Sequence, residues 1–350
     1  EGAMETKIFD ADGHIRERDE DLFEFLEPPF QGKKQLFSTP FFPAVDGWHR
    51  QAMGILNSET DRTEPDPDDV PAWLEVMDRH DIEQTVIYPT AALAEGQLKD
   101  PDWAVAVCRA YNNYLSEKYL EASPRIKGVA LLPMQDVQEA VKELRRAVRD
   151  LGMLGGIIAP VGLPAPAGDP RYHPVYAEAE KLRCVIALHG ASATGLGFDF
   201  FDKLNQARAL SHPFCQLIHL TNLVFEGVLE KYPGVRILSL EAGVSWLPFL
   251  LDRLDLEWEK RGLHQAANVK KRPSEYLKGG QVYFNCEVKE RILPAVISLV
   301  GDDKLFYASD YPHEKDQEET IAYLKSREDP SDASKQKILY DNGKRCYGLT

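Results

Sequence analysis

Short apolar segments of β character recur along this chain, each followed by a stretch with helical spacing. No other feature of the sequence constrains the fold as tightly. The segments are Lys7–Ala11, Gln84–Tyr88, Lys127–Pro133, Gly155–Pro160, Cys184–His189, Arg236–Leu240, Gln281–Cys286 and Leu305–Ser309, eight candidate strands. Between them run amphipathic stretches such as Asp102–Glu121, Val137–Leu151, His173–Leu182 and Thr221–Tyr232. In the second of these, Val137, Ala140, Val141, Leu144, Val148 and Leu151 fall three and four apart and paint one helical face. Strands that alternate with helices pair in parallel through crossovers. Eight such units in 350 residues predict an α/β chain folded as a (β/α)8 TIM barrel, which takes about 250 residues. A doubly wound open sheet is the alternative, but no glycine-rich nucleotide fingerprint follows any strand.

The rhythm breaks once. Residues 15–68 form an insertion after the first strand, rich in Pro, Phe and charge, with Pro28-Pro29-Phe30 and Pro40-Phe41-Phe42-Pro43. A long excursion inside a compact domain is usually functional. As the first βα loop it is expected over the barrel mouth, and residues 1–350 are read as a single domain. The chain carries 41 Lys and Arg against 56 Asp and Glu, a net charge of −15. That balance disfavours nucleic acid and anionic membrane, both of which select basic patches. No apolar run approaches the roughly 18 residues of a membrane span. Glu1-Gly2-Ala3-Met4 lacks the basic and apolar regions of a signal peptide. Cys108, Cys184, Cys215, Cys286 and Cys346 are dispersed and form no CxxC pair, so a cytoplasmic protein without a disulfide framework is expected.

Polar residues gather at the strand ends. The first strand leads into Asp12-Gly13-His14, and alternation along a strand points Asp12 and His14 the same way. A carboxylate and an imidazole so placed suit a divalent metal, although a hydrogen-bonded pair would give the same spacing. The fifth strand delivers His189, which alone reads as structural. The sixth delivers Glu241, a carboxylate that after a buried strand needs a partner, a metal or a proton. The eighth leads to Asp310, able to bind metal or shuttle a proton, or equally to cap the next helix. Jointly these five residues lie where barrel active sites form, and a metal site is the expected reading.

These segments resemble the amidohydrolase-related proteins of the aminocarboxymuconate semialdehyde decarboxylase type, within the amidohydrolase superfamily. The resemblance runs from Lys7 onward. It is carried by IFDADGHI, RIKGVALLPMQD, LRRAVRDLGMLGGIIAP, VIALHG, YPGVRILSLEAGVSWLPFLLDRLD and FYASDYPH. It implies a (β/α)8 barrel with one divalent metal, zinc or manganese and alternatively magnesium, at the mouth. The family's HxH maps onto Asp12 and His14, its fifth-strand ligand onto His189 and its eighth-strand aspartate onto Asp310. A sixth-strand histidine of many members is here Glu241. The implied ligands are therefore Asp12, His14, His189 and Asp310, with Asp310 and Glu241 in the chemistry. The implied activity is decarboxylation of a small aromatic or cyclic carboxylic acid. Metal-dependent hydrolysis of a small cyclic amide, ester or lactone is the alternative, and a metal-free binding relative the third reading. A homodimer follows by analogy.

The remaining candidates are weaker. His313 can contact substrate or cap its loop, and Ser192 sits in a polar loop able to reach substrate oxygens. Phe41 and Trp48 can line an aromatic pocket, anchor the long loop or form a dimer contact. Trp246 and His219 read as packing residues, Glu287 and Arg291 as solvated surface, and His212, His173, His49, His80 and His264 as ordinary.

Overall fold

The computed structural model describes residues 6–33, 40–44, 68–191 and 196–349. All strands run parallel: β1 (Ile8–His14), β2 (Ile82–Tyr88), β3 (Ile126–Gly128), β4 (Ala130–Leu131), β5 (Gly155–Ile158), β6 (Val185–His189), β7 (Arg236–Leu240), β8 (Val282–Asn285) and β9 (Leu305–Phe306). β3 and β4 are two pieces of one stave, interrupted at Val129 and tied to the next by Leu154 N–H donating to Gly128 O. Closure comes at the other seam. Ala11 N–H donates to Tyr307 O (3.3 Å), Asp310 N–H to Asp12 O (3.0 Å) and His14 N–H to Tyr311 O (2.7 Å). The eight expected strands thus form a closed TIM barrel.

Two strand ends differ from expectation, for one reason. An apolar run marks Ala11 as the end of β1, yet the ladder continues, pairing Gly13 with Ile87 and His14 with Tyr88 after a register shift. Polar residues therefore belong to the strand itself. Conversely β9 stops at Phe306, because residues 307–311 leave β8 to bond β1. Gly13 is required by its surroundings: a Cβ there would fall 2.4 Å from Trp73 Cη2 and 2.7 Å from Thr85 Oγ1. Trp73 in turn donates its indole N–H to His14 O, so strand and helix lock together beside the site.

Helix starts follow their caps. Asp100 accepts from the N–H of Asp102 and Trp103 ahead of Pro101–Leu115, and Asp136 accepts from Gln138 and Glu139 ahead of Val137–Arg149. The expected Thr221–Tyr232 helix proves to be the end of a longer one, Leu204–Phe225, followed by Val228–Lys231 beyond Gly227 at φ +72°. Pro213 lies inside the long helix and removes one rung of its ladder, which is why the sequence pattern hides the first turns. The described part of the insertion packs on the flank. Glu27 pairs with Arg109 (2.8 Å), and Phe41 sets its ring edge-on to Trp103 (5.1 Å between centroids). Residues 45–67, including Trp48 and His49, lie outside the described residues, so the expected cover over the mouth is not described there.

The carboxyl-terminal helix Asn342–Tyr347 plugs the barrel. The Tyr347 hydroxyl donates to Ala11 O (2.6 Å) and lies 2.6 Å from the Tyr88 hydroxyl, with all three residues buried.

Candidate metal centre

β1 and the ends of β6 and β7 bring Asp12, His14, His189 and Glu241 to one point. One donor atom from each lies within 4.8 Å of all the others. His14 Nε2 is 3.4 Å from Asp12 Oδ1, and His189 Nε2 is 3.6 Å from Asp12 Oδ2 and 3.0 Å from Glu241 Oε2. Two ligands about 2.1 Å from an ion stand about 3.0 Å apart at a right angle and about 3.4 Å apart at a tetrahedral one. A second overlapping group joins His14 and Glu241 to Asp310 and His313, with Asp310 Oδ1 3.3 Å from His14 Nε2.

The protonation of the imidazoles suits ligation. His14 Nδ1 is 2.9 Å from Pro89 O and His189 Nδ1 is 2.7 Å from Gly190 O. A carbonyl only accepts, so each Nδ1 carries the hydrogen and each Nε2 presents a lone pair inward. Both oxygens of Asp12 and both Nε2 atoms are buried without a hydrogen bond. Buried polar atoms are rarely left so, and four orphaned electron-pair donors facing one another fit a divalent cation. The charges fit too. Burial, with Glu241 and Asp310 nearby, pushes the Asp12 carboxyl well above its usual range. Burial also raises Glu241, but His212, His189 and His14 outweigh it and hold Glu241 well below the usual range. His14 is pushed well down by burial and by His313 and His189. In His189 burial lowers the affinity for a proton, and Glu241, Gly190 O and Asp310 together outweigh it.

Backbone strain marks the same place. Glu241 at φ +51° and Asp310 at φ +47° occupy the left-handed region without being glycine, at roughly 1–3 kcal/mol each. Their neighbours hold them there. Glu241 N–H donates to Asn285 Oδ1 (3.2 Å), and the Ser309 next to Asp310 is gripped by Asp10. Asp10, fully buried, accepts from Ser309 N–H (2.8 Å), Ser309 Oγ (2.7 Å) and Thr85 Oγ1 (2.7 Å). Strain that persists at strand ends of a barrel is expected where chemistry is done.

Asp12, His14, His189, Glu241 and Asp310 therefore lie together at the barrel mouth, in two overlapping groups. Glu241, read outside the ligand set, supplies an oxygen to both groups, and Asp310 supplies one to the second. His313 stacks 4.2 Å from His14, its Nδ1 2.9 Å from Asp310 Oδ1 and its Nε2 2.8 Å from Thr90 Oγ1. Phe41 does not line the cavity: it is 2% exposed against Trp103. Ser192 and Trp48 lie outside the described residues. His219 is a packing residue, accepting from Ala167 N–H at 3.0 Å.

His212, read as ordinary, is the main residue that sequence reasoning misses. Its Nε2 lies 3.2 Å from Glu241 Oε1, so Glu241 spans from the donor cluster to this imidazole. It arrives from inside the helix Leu204–Phe225 and gives no strand-end signal. His212 and Asp310 line a cavity of about 620 Å³ together with Asp12, Glu241, Trp246 and Glu287. Trp246 and Glu287, read as packing and as solvated surface, thus both face it. The volume lies within the roughly 300–1,000 Å³ of small-molecule sites.

Comparison with known proteins gives the same outline. The chain is 26% identical over 253 residues to the gamma-resorcylate decarboxylase of Rhodococcus jostii (strain RHA1), covering 69% of this chain and 76% of that one. Among solved structures, an amidohydrolase of Mycobacterium avium subsp. paratuberculosis K-10 superposes with a TM-score of 0.78 at 20% identity, covering 99% and 100%. A dihydroxybenzoic acid decarboxylase of Polaromonas sp. JS666, with bound manganese and the inhibitor 2-nitroresorcinol, gives 0.72 at 20%, covering 99% and 97%. At these identities the two structures share the fold. The model of the amidohydrolase family matches residues 10–349, nearly the whole barrel and every strand-end residue described above, and the chain belongs to that family.

Proposed function

We propose that this protein is a metal-dependent decarboxylase of a small aromatic carboxylic acid. The observation that carries the reading is the convergence of the orphaned donors of Asp12, His14 and His189 with Glu241 at a small-molecule cavity. The gamma-resorcylate and dihydroxybenzoic acid decarboxylases among its relatives supply the substrate class. Asp12, His14, His189 and Glu241 would hold the ion. Two carboxylates with two imidazoles favour a hard or borderline ion, and manganese is the first choice, as in the Polaromonas relative.

A divalent ion held there would supply a Lewis acid facing the substrate carboxylate. The protein supplies the proton. Thr90 Oγ1 donates to Ile15 O (2.7 Å), so at the His313 contact it can only accept, and His313 Nε2 carries a hydrogen. Burial holds His313 down at about 4, so it is neutral and its Nδ1 is a bare acceptor. The partner of that Nδ1 is Asp310 Oδ1 at 2.9 Å, which must then be the donor and carry a proton. Burial and the charge of Glu241 push Asp310 well up, in agreement. Asp310 thus stores a proton at the cavity wall for the ring carbon that bears the carboxylate. Once that carbon is protonated, its bond to the carboxylate breaks, the electron pair restores the ring and CO₂ leaves. His212 holds Glu241 from the far side.

The test is CO₂ release from hydroxybenzoic acids by protein loaded with manganese. Turnover should vanish with a chelator and return with the metal. Hydrolysis of a cyclic amide or lactone by the loaded protein, with no CO₂ from any acid, would replace this reading with the hydrolase.

The reading includes a homodimer in the cytoplasm. All five cysteines are buried and free, as in a reducing compartment. Phe249, Leu256 and Leu263, 61%, 38% and 84% exposed, recur seven apart on the helix Leu247–Gln265. Leu210 and Phe214 stand exposed on the neighbouring helix Leu204–Phe225. An exposed apolar face of this kind suits association with a second copy. Sedimentation velocity should show a dimer, and Leu263→Glu should shift it toward monomer; an unchanged distribution would move the interface elsewhere.

A further inference from the structure

Among the described residues, none of the donors in the two groups comes from β2, yet the two residues that follow this strand hold two of the site's imidazoles. Pro89 O lies 2.9 Å from His14 Nδ1, and Thr90 Oγ1 lies 2.8 Å from His313 Nε2. The two rings stack 4.2 Å apart, so one short stretch of chain sets them as a pair. It sets them in opposite senses. A carbonyl only accepts, so Pro89 places the hydrogen of His14 on Nδ1 and leaves Nε2 open toward the donor cluster. Thr90 spends its own hydrogen on Ile15 O (2.7 Å), so its oxygen can only accept from His313. That places the hydrogen of His313 on Nε2 and leaves Nδ1 bare toward Asp310 Oδ1 (2.9 Å).

The threonine is itself clamped from both sides by the chain beyond β1. Ile15, which takes its hydroxyl hydrogen, donates its own N–H to Tyr88 O (3.1 Å). Glu17, 6% exposed, accepts from Thr90 N–H (3.0 Å) and from Ala92 N–H (2.6 Å). Between them, Arg16 donates its N–H to Asp68. A carboxylate so buried costs free energy unless its oxygens are engaged. Glu17 spends both of them on the loop that carries Thr90, and the insertion after β1 thereby reaches the chemistry.

We propose that Thr90, seated by Glu17, is a positioning residue: it fixes the tautomer of His313 and so decides which of the two facing atoms, His313 Nδ1 or Asp310 Oδ1, is the acceptor. With the Thr90 oxygen present, Nδ1 accepts and Asp310 keeps a hydrogen. Without it, Nε2 has nothing to donate to, and the favoured ring carries its hydrogen on Nδ1 and donates to Asp310. The consequence for turnover rests on the decarboxylase reading; the tautomer rests on the contacts alone.

Imidazole ¹⁵N shifts of the zinc-loaded protein, a diamagnetic form, read the tautomer without turnover. Wild-type His313 should show a protonated Nε2 and a bare Nδ1. Thr90→Val keeps the shape, loses the oxygen and should reverse the two, whereas Thr90→Ser should keep the wild-type pattern. In manganese-loaded protein, kcat for CO₂ release should fall about tenfold to a hundredfold in Thr90→Val, short of the loss expected on removing the acid itself. KM and metal content should stay near wild type, and Thr90→Ser should return to within severalfold. Glu17→Gln sets an amide donor against one of the two loop N–H groups and should show a smaller loss of the same kind; a full wild-type rate there would take Glu17 out of the proposal. A protonated Nδ1 in wild-type His313, an unaltered tautomer in Thr90→Val, or equal losses in the valine and serine variants would overturn it. A reversal of the tautomer with no CO₂ from any acid supports the positioning role and counts against the decarboxylase. Unchanged CO₂ release in Thr90→Val does the reverse.

Discussion

His189→Ala is expected to cost this protein its metal and, with it, turnover. The wild type should hold about one equivalent of manganese per chain, and the variant a small fraction of that under the same dialysis. CO₂ release should fall by about a thousandfold or more, since the Lewis acid goes with the ligand. The reasoning is local. Gly190 O fixes the hydrogen on Nδ1, so Nε2 is a lone pair held ready between Asp12 and Glu241, and alanine leaves those carboxylates facing each other across a gap. Asp12→Ala should behave alike. Elemental analysis by plasma mass spectrometry reads the first effect and a CO₂ assay the second. Full occupancy with full activity in either variant would remove that residue from the donor set.

Asp310→Asn separates proton supply from metal binding. Turnover should drop about 10²–10⁴-fold, the usual cost of losing a positioned acid, while metal content stays near the wild-type level. The asparagine amide keeps the shape and can still donate an N–H to His313 Nδ1, so the network of Thr90, His313 and residue 310 survives. What it lacks is a proton to give. Loss of metal in this variant would instead make Asp310 a ligand, and unchanged turnover would move the acid to another group.

The barrel is legible because each stave is an apolar run long enough to stand out, and the strand-end residues are legible because that fold puts its chemistry there. Asp12, His14, His189, Glu241 and Asp310 all follow from those two facts. His212 does not, because it is carried by a helix whose early turns Pro213 disguises, and because its meaning depends on Glu241 across the mouth. Asp10 is equally silent. It reads as one more strand residue until Ser309 arrives beside it. Glu287 reads as solvent-facing because nothing local shows that a cavity opens next to it. The left-handed backbone at Glu241 and Asp310 is likewise something no propensity scale announces for those residue types.

The seam between β1 and the end of the chain also sets a timetable. Ser309 and Asp10 are 299 residues apart in sequence, and Tyr347 and Ala11 are 336 apart. During synthesis the strand that carries Asp10, Asp12 and His14 leaves the ribosome long before these partners. Until then that segment has one bare edge and Asp10 has only Thr85 and the Asp12 N–H to satisfy it, so the metal pocket matures late. Contacts of such long range are slow to form, and unpaired strand edges invite misassociation. A chain arrested before Ser309 would therefore hold Asp12, His14, His189 and Glu241 without the seam that closes the barrel around them.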